Sequence, residues 1–190
     1  MGIYSIIDNR AWNSLGIVTD EFKTYTAVTR KEINRIELDV ENLGIKSMYS
    51  SYKVMNKWMG RIYLFKWSCM IEDYETASNV TIKLQYTGKF SSTKEPKFSS
   101  SSSNPLVTLL NQDQELIEIC RAIDFEKLEL VYSKKDNAWN IEIWPNYGDF
   151  IWMLIPPVRY FRKPNVEEIG QTIQLIQRIR EVLNKGDIAQ

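Results

Sequence analysis

With no histidine among its 190 residues, this chain has carboxylates as the side chains best suited to do chemistry. Histidine is the one side chain that titrates unperturbed between about pH 5 and 8, and it is the commonest metal ligand. Its absence removes Ser-His and Cys-His nucleophilic pairs, imidazole-bound zinc or iron, and imidazole acid–base catalysis. What remains is Lys, Tyr, or a pair of acids, alone or holding Mg²⁺, if two of them converge in one cleft. Glu72, Asp73 and Glu75 cluster in a connecting segment, and Glu142 and Asp149 flank an aromatic-rich turn. Acids in turns are ordinarily solvated, so a carboxylate-based hydrolase or transferase is the alternative reading.

Other catalytic resources are sparse. There is no G-x-x-x-x-G-K-[ST] and no G-x-G-x-x-G; Gly88-Lys89 is followed by Phe90, which lacks the hydroxyl that would hold Mg²⁺. Cys69 and Cys120 are too few and too far apart for a disulfide framework or a zinc knuckle. No metal or cofactor is implied.

Two segments have the composition of contact surfaces. Between Glu41 and Glu72 there is no acid, while Lys46, Lys53, Lys57, Arg61 and Lys66 alternate with Met48, Met55, Met59, Tyr49, Tyr52, Trp58 and Trp67. Methionines mould to varied partners and aromatic rings anchor interfaces, so this stretch suits an acidic protein, an anionic lipid surface or single-stranded nucleic acid. The second segment runs from Trp139 to Lys163, where Trp144, Tyr147, Phe150 and Trp152 surround a turn and Arg159, Tyr160, Arg162 and Lys163 mix cations with rings. Arginine beside aromatic surface can bind phosphate or carboxylate while stacking. The plainer reading of both segments is a core of rings with cations in solvent. The candidate binding residues are therefore Met55, Lys57, Trp58 and Arg61 in the first segment, and Trp144, Tyr147, Trp152, Arg159, Tyr160, Arg162 and Lys163 in the second.

The elements that would position these residues follow from periodicity. Residues 1–28 give no clear pattern, although 22–28 (FKTYTAV) leans towards strand. Thr29 to Glu32 has capping-box spacing, and Ile33, Ile36, Val40 and Leu43 recur at helical steps before Gly44, which predicts a helix over 30–43. Ile45, Met48, Tyr52, Met55 and Met59 extend such a stripe, predicting a second helix over 46–58. Residues 61–71 and the alternating Val80, Ile82, Leu84 and Tyr86 predict a hairpin. The Ser-rich stretch 91–103 predicts a mobile surface loop.

Asn104-Pro105 predicts a helix over 105–122, with a second capping spacing at 111–114 where it can break. Strands are expected around Leu128–Tyr132 and Trp139–Ile143. Phe150 to Ile155 has no polar face, as in a central strand covered on both sides, and Pro156-Pro157 ends it. Asn165 and Glu168 cap a last helix whose inward face is Ile169, Ile173, Ile176, Ile179 and Leu183.

These expectations describe a single α+β domain spanning 1–190: an antiparallel sheet of about five strands with helices packed on it, in the order α-β-β-α-β-β-β-α. That order resembles the roadblock, longin and profilin-like folds, whose domains are mostly interaction platforms; the resemblance is one of element order and covers about two thirds of the chain. Lys plus Arg and Asp plus Glu number 24 each, and this balance disfavours nucleic acid, whose binders usually carry an excess of Lys and Arg. Weak nucleic-acid binding is the third reading. No transmembrane segment or signal peptide is visible, so a cytoplasmic location is expected. The leading expectation is a non-enzymatic module that recognises a protein or another macromolecule through an aromatic-rich face.

Overall fold

The computed structural model of the chain describes residues 3–73, 76, 78–87, 95–123 and 125–188. It opens with helix α1 (Ile3–Asp20), whose stripe of Ile7, Ala11, Leu15 and Val18, carried on by Phe22, is fully buried. The spacing of four, four, three and four residues puts one apolar face on the core. Residues 21–24 form a 3-10 turn, so strand begins only at Val28.

A sheet of ten strands, antiparallel throughout among the described residues, dominates the molecule. Five strands come from the first half: β1 (Val28–Glu32), β2 (Arg35–Leu38), β3 (Ser47–Lys57), β4 (Gly60–Glu72) and β5 (Val80–Thr87). Then come β6 (Glu95–Ser100), helices α2 (Pro105–Gln112) and α3 (Gln114–Ala122), β7 (Phe125–Ser133), β8 (Ala138–Pro145), β9 (Phe150–Met153), β10 (Val158–Phe161) and helix α4 (Val166–Ile188). The main path runs β1-β2-β3-β4-β8-β7-β5-β6. Strand β4 is long enough to serve two neighbours on one edge: Trp67 to Glu72 pair with β8, and Gly60 to Tyr63 pair with β9, which carries β10.

This architecture corrects the expected five-stranded sheet and with it the roadblock, longin and profilin-like order. Both early helices are replaced by strands. Over 30–43, Ile36 and Leu38 are buried two residues apart, Asn34 turns the chain with φ of 62°, and Ile33 stands in solvent. Gly44 does adopt the left-handed conformation, at the end of a short 3-10 turn. Over 46–58, every residue of β3 from Ser47 to Lys57 pairs with β4, so Met48 and Tyr52 share one face while Met55 lies on the other. Tertiary pairing has overridden a four-three-four spacing that a helix would also satisfy.

Three further expectations change. β4 and β5 are not a hairpin, since the β7–β8 pair lies between them. Within the Ser-rich stretch, residues 95–100 form the edge strand β6, while 91–94 lie outside the described residues. Phe98 of β6 is buried, and the Asn111 side chain accepts from its N–H at 2.8 Å and donates to its C=O at 2.9 Å, completing the strand edge. The apolar run 150–155 is a four-residue strand followed by an exposed turn, not a covered central strand.

Other expectations agree with the structure. Asn104 caps α2, accepting from the Leu106 N–H at 2.9 Å, and the helix breaks within the expected 111–114, although the cap of α3 is Asp113, which accepts the Leu116 N–H at 3.0 Å, and not Asn111. Asn165 and Glu168 exchange side-chain-to-backbone hydrogen bonds at the start of α4, but that helix does not stop before Gly186, as its position predicts, and runs through it to Ile188.

The helices gather on the face that carries Trp67. That face holds one continuous core, including Tyr63, Phe65, Trp67, Ile141, Leu130 and the inner stripe of α4. Because opposed residues of antiparallel strands point the same way, the register assigns the other face too, and there the side chains of β3, β4, β9 and β10 are mostly half-buried or exposed.

Candidate interaction surface

Of the five carboxylates that could have formed a catalytic pair, the four described each have partners of their own. Glu72 pairs with Lys46 at 2.8 Å. Asp73 is buried and accepts from the Trp139 indole N–H, the Thr76 N–H and the Thr76 hydroxyl, closing a turn. Glu142 lies between Lys66 and Lys127, at 2.6 and 3.1 Å; burial raises its pKa, but those two cations together hold it below the usual carboxylate range. Asp149 accepts the Phe65 N–H at 2.7 Å. Glu75 lies outside the described residues. Among the described residues no group of three or more acids and cysteines could hold a metal ion.

Asp149 makes a pH-dependent contribution to stability. Burial, with the charge of Glu126 adding to it, pushes its carboxyl up to about 6 against the pull of the Phe65 N–H. A folded-state pKa above the unfolded value means that the native state binds the extra proton, so this group's contribution to stability falls as pH rises from about 4 to about 6. Asp149→Asn keeps an acceptor for Phe65 and removes the charge. It is expected to stabilise the fold by about 1–2 kcal/mol at pH 7.5 after allowance for solvent screening, with no gain at pH 4, as read from urea denaturation at the two pH values.

The candidate binding residues divide between core and surface. Tyr147 is 1% exposed: its hydroxyl accepts from the Trp67 indole N–H at 3.0 Å and lies 2.8 Å from the Thr172 hydroxyl. Trp152 shares the core-facing side of β9 with Phe150 and packs half-buried against the core. Arg162 grips Glu168 with two bonds of 3.0 Å and the Asn146 carbonyl at 2.7 Å, fastening the start of α4. Lys163 pairs with Glu21 in solvent. Arg61 donates to Asp8, which also accepts from the Tyr63 hydroxyl, and its guanidinium lies 4.4 Å from the Tyr4 ring centre. Trp144 is half-buried on the outer face, with Lys53 and Lys127 at 5.3 and 5.6 Å from its ring.

The others meet at one end of the sheet. Met55, Ile62, Ile151 and Tyr160 form an in-register row across β3, β4, β9 and β10, and the next row outward is Lys57, Gly60, Met153 and Val158. Beyond it lie two turns: Trp58-Met59 joins β3 to β4, and Leu154-Ile155-Pro156-Pro157 joins β9 to β10. The Leu154 N–H donates to the Met59 carbonyl at 2.8 Å, tying one turn to the other. The β1–β2 turn lies towards the same end, because it follows the last β2–β3 pair, Arg35 with Ser51, and its Ile33 and Asn34 line one hollow with Val54, Asn56 and Arg61.

All three turns put large apolar side chains into solvent. Ile33 is 91% exposed, Trp58 89%, Ile155 61% and Leu154 50%. Surface turns are normally built from Gly, Asn, Asp, Pro and Ser, and the β7–β8 turn of this chain, Lys134-Lys135-Asp136-Asn137, is accordingly polar. Single exposed hydrophobes are ordinary, but several gathered in one region mark a contact surface.

The charge pattern there is one-sided. Residues 42–71 and 150–166 contain no Asp or Glu. Among the described residues Lys46, Arg61, Lys66, Arg162 and Lys163 are neutralised by acids from elsewhere in the chain, whereas Lys53, Lys57 and Arg159 are exposed without an ion pair. Leu154, Ile155, Val158 and Ile33 are not among the candidate binding residues drawn from sequence. The available signal was an apolar run entering Pro-Pro without any polar turn residue.

A family model described as "Protein of unknown function (DUF3156)" matches residues 20–183, and the chain belongs to that family. No curated protein and no solved structure matches the chain. No helix among the described residues is long and apolar enough to cross a membrane.

Proposed function

From the geometry of its exposed end, we propose that this member of the family works by contact: the apolar turns at one end of the sheet seat on a macromolecule. The observation that supports this is the joining of the Trp58-Met59 and Leu154-Ile155 turns into one projecting surface, with Ile33 on the same side and Lys57 and Arg159 flanking it. Folding alone gives no reason to place tryptophan at a hairpin tip, because apolar area left in water contributes nothing to stability. On this reading the aromatic core holds the turns in position and the turns make the contact. The cytoplasmic location expected from the sequence belongs to the same proposal.

The test is photo-crosslinking in the native cell from a benzophenone amino acid placed at position 58, with position 135 in the polar β7–β8 turn as control. The expected result is an adduct with a discrete partner, protein or lipid, from position 58 and none from position 135. The same adducts from both positions, or none from position 58, would overturn the proposal.

A further inference from the structure

We infer that the surface seated on by these turns is an anionic lipid bilayer, an inference that rests on the contact reading above and names its partner. Three features of the exposed end carry it.

The first is shape. Three strongly exposed apolar side chains, Ile33, Trp58 and Ile155, sit on turns where the chain reverses between strands. A projecting wedge needs a receiving pocket in a protein partner, whereas the boundary between lipid headgroups and acyl chains accepts it without preformed complementarity. Amphipathic elements bury their apolar side to a depth of roughly 5–10 Å in that boundary, about the reach of a tryptophan on a hairpin tip.

The second is residue type. Tryptophan is favoured at membrane–water interfaces because its ring is apolar and its N–H remains hydrated. Here it leads, with Leu and Ile beside it. Behind the tips, the row of Met55, Ile62, Ile151 and Tyr160 continues the apolar surface up the sheet and ends in a tyrosine, which is 44% exposed and suits the headgroup level.

The third is charge. In a chain of zero formal net charge, the two segments that carry the joined turns, 42–71 and 150–166, contain no acid. Asp8 and Glu32, the latter next to Ile33 in the chain, are neutralised by Arg61 and Arg30, and Lys53, Lys57 and Arg159 are left to face anionic headgroups. Cations on long apolar stems beside a projecting apolar tip can reach up to phosphate level as the tip enters.

The test uses the full chain with sedimented vesicles of phosphatidylcholine, made with and without phosphatidylserine. Binding is expected to vesicles containing phosphatidylserine and to weaken markedly without it. Lys57→Gln/Arg159→Gln is expected to reduce binding by roughly tenfold or more, and Trp58→Ser/Leu154→Ser/Ile155→Ser to abolish it while circular dichroism and melting remain as in the wild type. Lipids brominated in the acyl chain should quench wild-type fluorescence more than that of Trp58→Phe. Failure to sediment with phosphatidylserine vesicles, or equal sedimentation of the triple-serine variant, would overturn the inference. If vesicles fail while position 58 still crosslinks to a protein, the contact reading stands and the partner is that protein. If both fail, the contact reading falls as well.

Discussion

Trp67→Ala is expected to lower the unfolding free energy by about 3–5 kcal/mol, the usual cost of emptying a large buried aromatic site. Trp67 is fully buried on the core face of β4. Its ring meets Phe22 edge-on with centroids 4.6 Å apart and Phe65 at 5.2 Å, so it joins the segment after α1 to the sheet. Its indole N–H donates to the Tyr147 hydroxyl; the Thr172 hydroxyl donates to the Glu168 carbonyl, which leaves Tyr147 as donor to Thr172. Removing the indole therefore opens a cavity and takes one bond from a buried chain that ties β4 to α4. At roughly 2–4 °C per kcal/mol for a domain of this size, melting should fall by about 6–20 °C in differential scanning calorimetry. The same substitution at Trp58, which has almost no packing to lose, is expected to leave melting within about 2 °C of wild type. Two tryptophans nine residues apart on one hairpin thus separate scaffold from surface.

That separation was only half legible in the sequence. Alternation identified β5, β7 and β8, because each has one buried face and a polar one. Asn104, Asn165 and Glu168 announced their helices through side chains that satisfy backbone N–H groups locally, and local chemistry is what a sequence displays best. The helices expected over 30–43 and 46–58 failed for the opposite reason. Met48, Tyr52, Met55 and Met59 fit a helical stripe as well as a long strand with both faces occupied, and the choice was made by β4, a partner whose pairing is not written in the local pattern. α1 was missed although Ile7, Ala11, Leu15 and Val18 show the correct stripe, because Ala11 is a weak marker and no cap precedes it.

The site divided in the same way. Trp58, Lys57, Met55, Arg159 and Tyr160 were picked out by composition, and the structure brings them to one end of the sheet. Tyr147 and Trp152 have the same composition but face the core. Residue type alone cannot separate a ring that holds the sheet from a ring that projects from it. Leu154 and Ile155 were hidden within an apolar run that resembles a buried strand until its short pairing with β4 is known.

Gly60 is the position at which scaffold and surface can be uncoupled. It pairs with Met153 where β9 crosses β4, and a Cβ built there would lie 2.3 Å from the Trp152 carbonyl oxygen and 2.8 Å from the Met153 Cα. Those are backbone atoms of the neighbouring strand, so no rotamer change relieves the contact and β9 itself must move. Gly60→Ala is expected to cost about 1–3 kcal/mol, the range for overpacking a tight site. It should also free the Leu154 amide from the Met59 carbonyl, visible as faster hydrogen exchange at Leu154. Every tip side chain is still present in this variant; only their arrangement changes.

Binding by Gly60→Ala therefore tests most directly whether the two turns act as one surface. Crosslinking yield from position 58 and vesicle sedimentation are compared with wild type at a temperature where both proteins are fully folded. Binding is expected to fall at least tenfold as the Leu154 amide becomes exchangeable. Undiminished binding with the two turns demonstrably parted would contradict that expectation.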